Sequence, residues 1–294
     1  MKYLFLFFLL VIFAQPGFTQ PKPNIILIVL DDQGMNDLGS YGNPDIKTPQ
    51  IDQLVSESVK FNRAYCTTPS CSPSRAVILS GLHSHANGMY GLNHRSHHFS
   101  SYEEVIGLPN FLAQMGGYRT GIAGKYHVEP VESYHFQEIL DAEYHHNVVK
   151  SALRCEDFIS RDKDQPFFLY FATYDPHRAS GEIKDHPYQP NRFGNSEEGY
   201  DGIEKITYDP EKLEVPYYLP DLPATRAELA QYYQSVSRVD QGIGKLVALL
   251  KKHEVYDNSV IIYCSDNGSP FPAAKTNLYE PGIRLPFFVK NVNN

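Results

Sequence analysis

The chain has 294 residues, 42% hydrophobic and 20% charged, enough to bury one large core or two small ones and unlike a disordered or fibrous chain. Its net charge of −8 leaves no basic footprint for nucleic acid, so an anionic ligand must be drawn by a local cluster of cations or metal. Four cysteines, Cys66, Cys71, Cys155 and Cys264, are too few for a disulfide scaffold of this length.

In chain order, Lys2, the apolar run 3–13 and the polar, helix-breaking stretch 14–20 predict a signal peptide over residues 1–20, the run being too short to span a bilayer. Residues 21–294 are then the exported protein, secreted or periplasmic, with a lysosomal lumen as the alternative. No second run approaches membrane length, so no stable membrane insertion is expected after cleavage.

Residues 25–30 form a continuous β-branched run expected of a strand buried on both faces. Thr48, Pro49 and the spacing Ile51, Leu54, Val55 predict an N-cap, an N1 proline and a helix face. Residues 120–123 and 167–173 are further strands. Residues 179–223, rich in Pro, Gly, Asn and Tyr, read as a long surface excursion of functional type. The longest helix is expected over 224–252, its apolar face carrying Leu229, Tyr232, Val236, Val239, Ile243, Leu246 and Leu250. Residues 260–264 and 285–289 are the last strands, with Cys264 a small buried hydrophobe. The alternation of short apolar runs with amphipathic stretches predicts an α/β fold.

Polar residues follow directly after four of these strands: Asp31 and Asp32, Lys125 and His127, Asp175 and His177, Asp266 and Asn267. Ligands in open α/β sheets bind at the carboxyl ends of strands, so the pattern predicts one site. The set Asp31, Asp32, Asp266 and Asn267 offers three carboxylates and an amide oxygen, which suit a hard cation and not zinc. Arg75, Lys125, His127, His177 and Lys275 are the cationic counterpart, of the kind that stabilises an anionic transition state. The histidines His83, His85, His94, His97 and His98 offer a zinc reading, but their spacing matches no regular metal site and a solvated or pocket-lining role competes with it.

Cys71-Ser72-Pro73-Ser74-Arg75 opens an apolar stretch that ends at Ser80-Gly81; Pro73 and Ser74 suit a first helical turn, which puts residue 71 at a helix N-terminus where an anion is favoured. This pentapeptide, with Gly124-Lys125-Tyr126-His127, Asp175-Pro176-His177 and Asp266-Asn267-Gly268, resembles the motifs of the sulfatases of the alkaline-phosphatase-like superfamily. The resemblance implies a mixed, mostly parallel sheet flanked by helices. It implies oxidation of Cys71 to formylglycine by a formylglycine-generating enzyme, and one Ca²⁺ held by Asp31, Asp32, Asp266, Asn267 and the modified residue 71. It further implies that the hydrated aldehyde attacks sulfur with Arg75 and Lys125 beside it, that His177 and Lys275 protonate the leaving group, and that His127 takes the proton that lets sulfate depart. The family continues into a smaller C-terminal antiparallel domain, which residues 21–294 are expected to lack, as an N-terminal catalytic portion.

Within the family, Asn87-Gly88-Met89-Tyr90-Gly91-Leu92, His97-His98-Phe99, Phe193-Gly194-Asn195, Pro270-Phe271-Pro272 and Thr276-Asn277-Leu278-Tyr279 resemble the sulfamidases, which implies cleavage of the N-sulfate of terminal N-sulfoglucosamine in heparin or heparan sulfate. Lys275 stands where sulfamidases carry arginine, so an O-sulfatase of a glycosaminoglycan sugar is the alternative, along with a non-catalytic binder of sulfated glycan and a phosphodiesterase or phosphonate hydrolase.

Overall fold

A computed structural model describes residues 22–94 and 96–292; the expected signal peptide lies outside the described residues. Seven strands, β1 (Asn24–Leu30), β2 (Val59–Tyr65), β3 (Arg119–Gly124), β4 (Glu138–Asp141), β5 (Phe167–Ala172), β6 (Ser259–Ser265) and β7 (Arg284–Lys290), form one sheet. Its order is β2-β7-β6-β1-β5-β3-β4. The central strands β6, β1, β5 and β3, with β4 at one edge, run parallel, whereas β7 is antiparallel to both β6 and β2. The sheet is the mixed, mostly parallel one expected.

Strand alternation divides the core into two layers. Ile26, Ile28 and Leu30 of β1 join Phe167, Leu169 and Phe171 of β5 under Ile51, Leu54, Val239, Ile243 and Leu246 of the helices. Leu27 and Val29 join Phe168 and Tyr170 on the other face, against Ala76, Leu79 and Met89. All six β5 side chains are buried, which is why the segment reads as an unbroken apolar run. Each large side chain removed from water contributes about 1.5–3 kcal/mol, so the two layers are the main stabilising feature.

The long helix spans Pro223–Lys252 and the predicted short one Pro49–Ser56. Thr48 occupies the N-cap position of the short helix, but its hydroxyl does not cap; it donates to Asp52 Oδ2 (3.2 Å) and accepts from Gly39 N–H (3.0 Å). The cap comes instead from the long helix: Asp240 accepts from Ile51 N–H at 2.7 Å and Gln50 N–H at 3.3 Å. The excursion 179–223 is also more than surface. Phe193, Leu213 and Leu219 are buried against Leu229, Tyr232, Tyr233 and Val236 of the long helix and Phe271, a third small core.

Candidate active site

The four polar clusters do converge, because β1, β3, β5 and β6 are mutually parallel and end on one side. Cys71 begins the helix Cys71–Ser80, which packs through Ala76 and Leu79 on the sheet. That packing sets residue 71 and the buried Arg75 above the ends of β1 and β6. Cys71 Sγ lies 3.3 Å from Asp31 Oδ1 and 3.9 Å from Asp32 Oδ1. Arg75 Nε donates to Asp266 Oδ2 at 2.9 Å, and its Nη1 to the Lys125 carbonyl at 3.1 Å and to Tyr170 Oη at 3.3 Å.

The chain after each strand is held in a conformation that aims these groups. Gly124 has φ +91°, and a Cβ there would sit 2.0 Å from the Ala172 carbonyl oxygen, so only glycine lets β3 turn off against β5 to present Lys125. Asp32 and His127 have φ of +67° and +58°, sparsely populated values for such residues. Asp32 keeps that geometry through its N–H, which donates to Asp266 Oδ1 at 3.1 Å. Asp175 is fully buried between Arg238 Nη2 of the long helix (2.8 Å) and His146 Nδ1 (2.9 Å), and so fixes the start of the segment that carries His177.

Charges in the site are paired. Lys125 Nζ contacts Asp31 Oδ2, Arg75 holds Asp266, and Lys275 Nζ lies 2.7 Å from Asp32 Oδ1. His177 Nε2 is 3.8 Å from Asp32 Oδ2. Burial works to raise the Asp31 carboxyl, yet Lys125, His177, Arg75 and Lys275 together hold it well below the ordinary carboxylate range. Asp266 goes the other way, pushed up to about 7 by burial and by Asp31. The Cys71 thiol is raised well above its ordinary value by burial and then by Asp31, so as encoded it is not a thiolate nucleophile at neutral pH. Burial, then Lys125 and Arg75, push His127 down to about 3, which leaves a neutral imidazole.

The donor set fits a hard cation. Ligand atoms of Asp31, Asp32, Cys71 and Asp266 lie within 4.8 Å of one another. Asn267 Oδ1 is buried with no hydrogen-bond partner, while its Nδ2 donates to Asp32 Oδ1 at 2.8 Å. An orphaned amide oxygen beside three carboxylates, one raised in pKa, is what a site for an oxygen-loving cation leaves behind.

The structure brings together Asp31, Asp32, Cys71, Arg75, Lys125, His177, Asp266, Asn267 and Lys275. His127 stands at their margin, sensing Lys125, Arg75 and Asp31, and its Nε2 meets His94 Nδ1 at 2.6 Å. Of the remaining histidines of the 83–98 stretch, His83 and His85 stack on each other at 5.6 Å between ring centroids. Tyr170 and Arg238 belong to the neighbourhood and escape the sequence motifs, while His94 is the member of the histidine group that takes the pocket-lining place. Tyr170 left a signal, since a tyrosine in the middle of a buried apolar strand needs a partner for its hydroxyl.

With this geometry in place, the family model for sulfatases matches residues 23–291, and the chain belongs to the sulfatase family. Its likeness to individual members is uneven. It is 40% identical over 284 residues to human N-sulphoglucosamine sulphohydrolase, covering 94% of this chain and 56% of the relative. Human N-acetylgalactosamine-6-sulfatase is 27% identical, with 92% of this chain and 57% of the relative covered. The chain thus spans little more than half the length of the curated relatives it matches. Among solved structures, BT4656 in complex with its substrate D-glucosamine-2-N,6-O-disulfate superposes with a TM-score of 0.66 at 21% identity, covering 92% of this chain and 71% of that one, a likeness of fold.

Proposed function

We propose that residues 21–294 form the catalytic domain of an exported sulfatase that releases sulfate from sulfated glycans, acting on the N-sulfate of terminal N-sulfoglucosamine in heparin or heparan sulfate. The observation that carries the reading is the position of Cys71, at the first turn of a buried helix, against Asp31 and within one cluster of paired carboxylates and cations. The choice of the N-sulfate rests on the higher identity to the N-sulphoglucosamine enzyme than to the 6-sulfatase.

In this reading Cys71 is oxidised to formylglycine by a formylglycine-generating enzyme, which gives residue 71 a hydroxyl nucleophile when hydrated. Asp31, Asp32, Asp266, Asn267 and residue 71 would hold one Ca²⁺, which would supply Lewis-acid polarisation of the sulfuryl oxygens. The three carboxylates are paired with the cations Arg75, Lys125 and Lys275, so a divalent ion would leave the cluster with a net positive charge, the sign an anionic sulfuryl group needs. Arg75 and Lys125 are the cations placed beside residue 71 to attend the sulfuryl oxygens. His177 and Lys275 supply the proton that the departing nitrogen requires, and His127, neutral, accepts one from the residue 71 hydroxyl. The protein is secreted or periplasmic, with the lysosomal lumen as the alternative. No helix among the described residues is long and apolar enough to cross a membrane.

The test compares sulfate release from N-sulfated and 6-O-sulfated glucosamine at equal concentration, using chain co-expressed with a formylglycine-generating enzyme. The expected outcome is preference for the N-sulfated sugar and loss of all release in Cys71→Ala. Preference for the O-sulfated sugar rejects the substrate, and activity in Cys71→Ala rejects the nucleophile.

A further inference from the structure

His94 lies beyond the Ser84–Asn87 helix, outside the helices and strands, and is exposed; His127 follows β3 and is half-buried. Their rings meet through His94 Nδ1 and His127 Nε2 at 2.6 Å, with centroids 4.8 Å apart and planes 21° from parallel. So short an N···N contact between two nearly coplanar rings is head-to-head hydrogen bonding and not face stacking. One nitrogen must carry the proton and the other a lone pair. The second His127 nitrogen, Nδ1, is buried with no hydrogen-bond partner.

The groups that act on His127 decide which arrangement holds. Burial first, then Lys125 and Arg75, disfavour positive charge on the ring, Asp31 favours it, and His94 disfavours it. Nδ1 is the buried, unpartnered nitrogen of a ring on which two cations act, and there a lone pair is better placed than the positive end of an N–H dipole. The proton of the neutral ring therefore belongs on Nε2, where only an acceptor can meet it. The hydrogen bond made by one ring nitrogen sets the protonation of the other.

We propose that His94 is a positioning residue: its Nδ1 accepts the His127 Nε2–H and so keeps His127 Nδ1 unprotonated, as the base the reaction needs. The inference rests on the sulfatase reading for its kinetic consequence, but the tautomer itself is independent of that reading. It also separates two classes of replacement. Glutamine at 94 offers a carbonyl oxygen to the same N–H, whereas leucine offers nothing.

Long-range ¹H–¹⁵N correlation spectra of the ¹⁵N-histidine-labelled chain read the tautomer directly, with the His127 signal assigned from His127→Asn. The Nε2–H form is expected in the wild type and in His94→Gln, and its loss or mixing with the Nδ1–H form in His94→Leu. In sulfate release, His94→Leu should lower kcat by about tenfold or more with KM within about twofold, and His94→Gln should recover most of it. A wild-type His127 in the Nδ1–H form overturns the proposal, as does a His94→Leu chain with unchanged ring signals and kcat. If the wild type releases no sulfate from any sulfated sugar, the sulfatase reading fails and the spectra still decide the tautomer.

Discussion

Around Cys71 each carboxylate has taken a cation: Asp31 with Lys125, Asp266 with Arg75, Asp32 with Lys275. Buried charges survive only when paired, and this arrangement is how the folded chain tolerates them. Asp266 is the weakest member, since its pKa of about 7 reflects burial first and repulsion from Asp31 second. A divalent ion among these oxygens would relieve that repulsion and would bind the native state alone. Ca²⁺ at about a hundred times its Kd should stabilise the wild type by about 2.7 kcal/mol, with a corresponding rise in Tm. Asp266→Ala should show no such rise, no heat of Ca²⁺ binding in calorimetry and no sulfate release. A wild-type chain stabilised by Zn²⁺ and indifferent to Ca²⁺ would instead implicate histidine ligands.

At the level of elements, one long helix does several things at once. Through Asp240 it caps the Pro49–Ser56 helix, through Arg238 it anchors Asp175, and through Tyr232 it donates to the Asp32 carbonyl at 2.9 Å. Burial pushes the Asp240 carboxyl up to about 7 against the lowering effect of the Ile51 and Gln50 N–H groups. A carboxyl raised in the folded state binds more protons there than in the unfolded chain. Its contribution to stability is therefore full below the ordinary Asp range and is lost as pH rises through about 7. Asp240→Asn lacks this window and keeps one acceptor for the cap. Between pH 4 and pH 8, urea unfolding should show the wild type losing on the order of 3 kcal/mol relative to Asp240→Asn. Parallel trends for the two chains would mean that Asp240 titrates normally.

For the molecule as a whole, the strands whose ends build the site were legible because their apolar runs are long and stop abruptly at polar pairs such as Asp31-Asp32 and Asp266-Asn267. β2 was not: its side chains are exposed throughout except for the half-buried Ala64, so Val59–Tyr65 shows no alternation to read. β4 has four residues, too few for a pattern. The helices Leu108–Gly116 and Val148–Arg154 also went unread. The Asp240 cap and the Arg238–Asp175 pair join residues 189 and 63 positions apart, which no local spacing can reveal. That second pair joins the long helix to the His177 segment, and Arg238 also donates to the Phe193 carbonyl at 2.9 Å, inside the third small core. Arg238→Leu strands the buried Asp175 carboxylate with His146 alone. It should cost roughly 3–5 kcal/mol in equilibrium unfolding and reduce sulfate release even under conditions where the chain remains folded. A loss below about 1 kcal/mol would show that His146 suffices.

The burial of Cys71, at 2% exposure beneath a helix turn that is itself closed to solvent, also sets an order in time. A second enzyme could not reach this sulfur once the sheet has assembled, so the proposed oxidation would belong to the unfolded chain. The sheet assembles late by its own topology, because β1 must find β5 some 143 positions away and β6 about 235. Such distant parallel pairings make folding slow, which holds the interval open. Mass spectrometry should find the aldehyde in peptide or nascent chain treated with a formylglycine-generating enzyme and unaltered cysteine in chain folded first. An aldehyde formed equally well after folding would mean that the first turn of this helix opens readily.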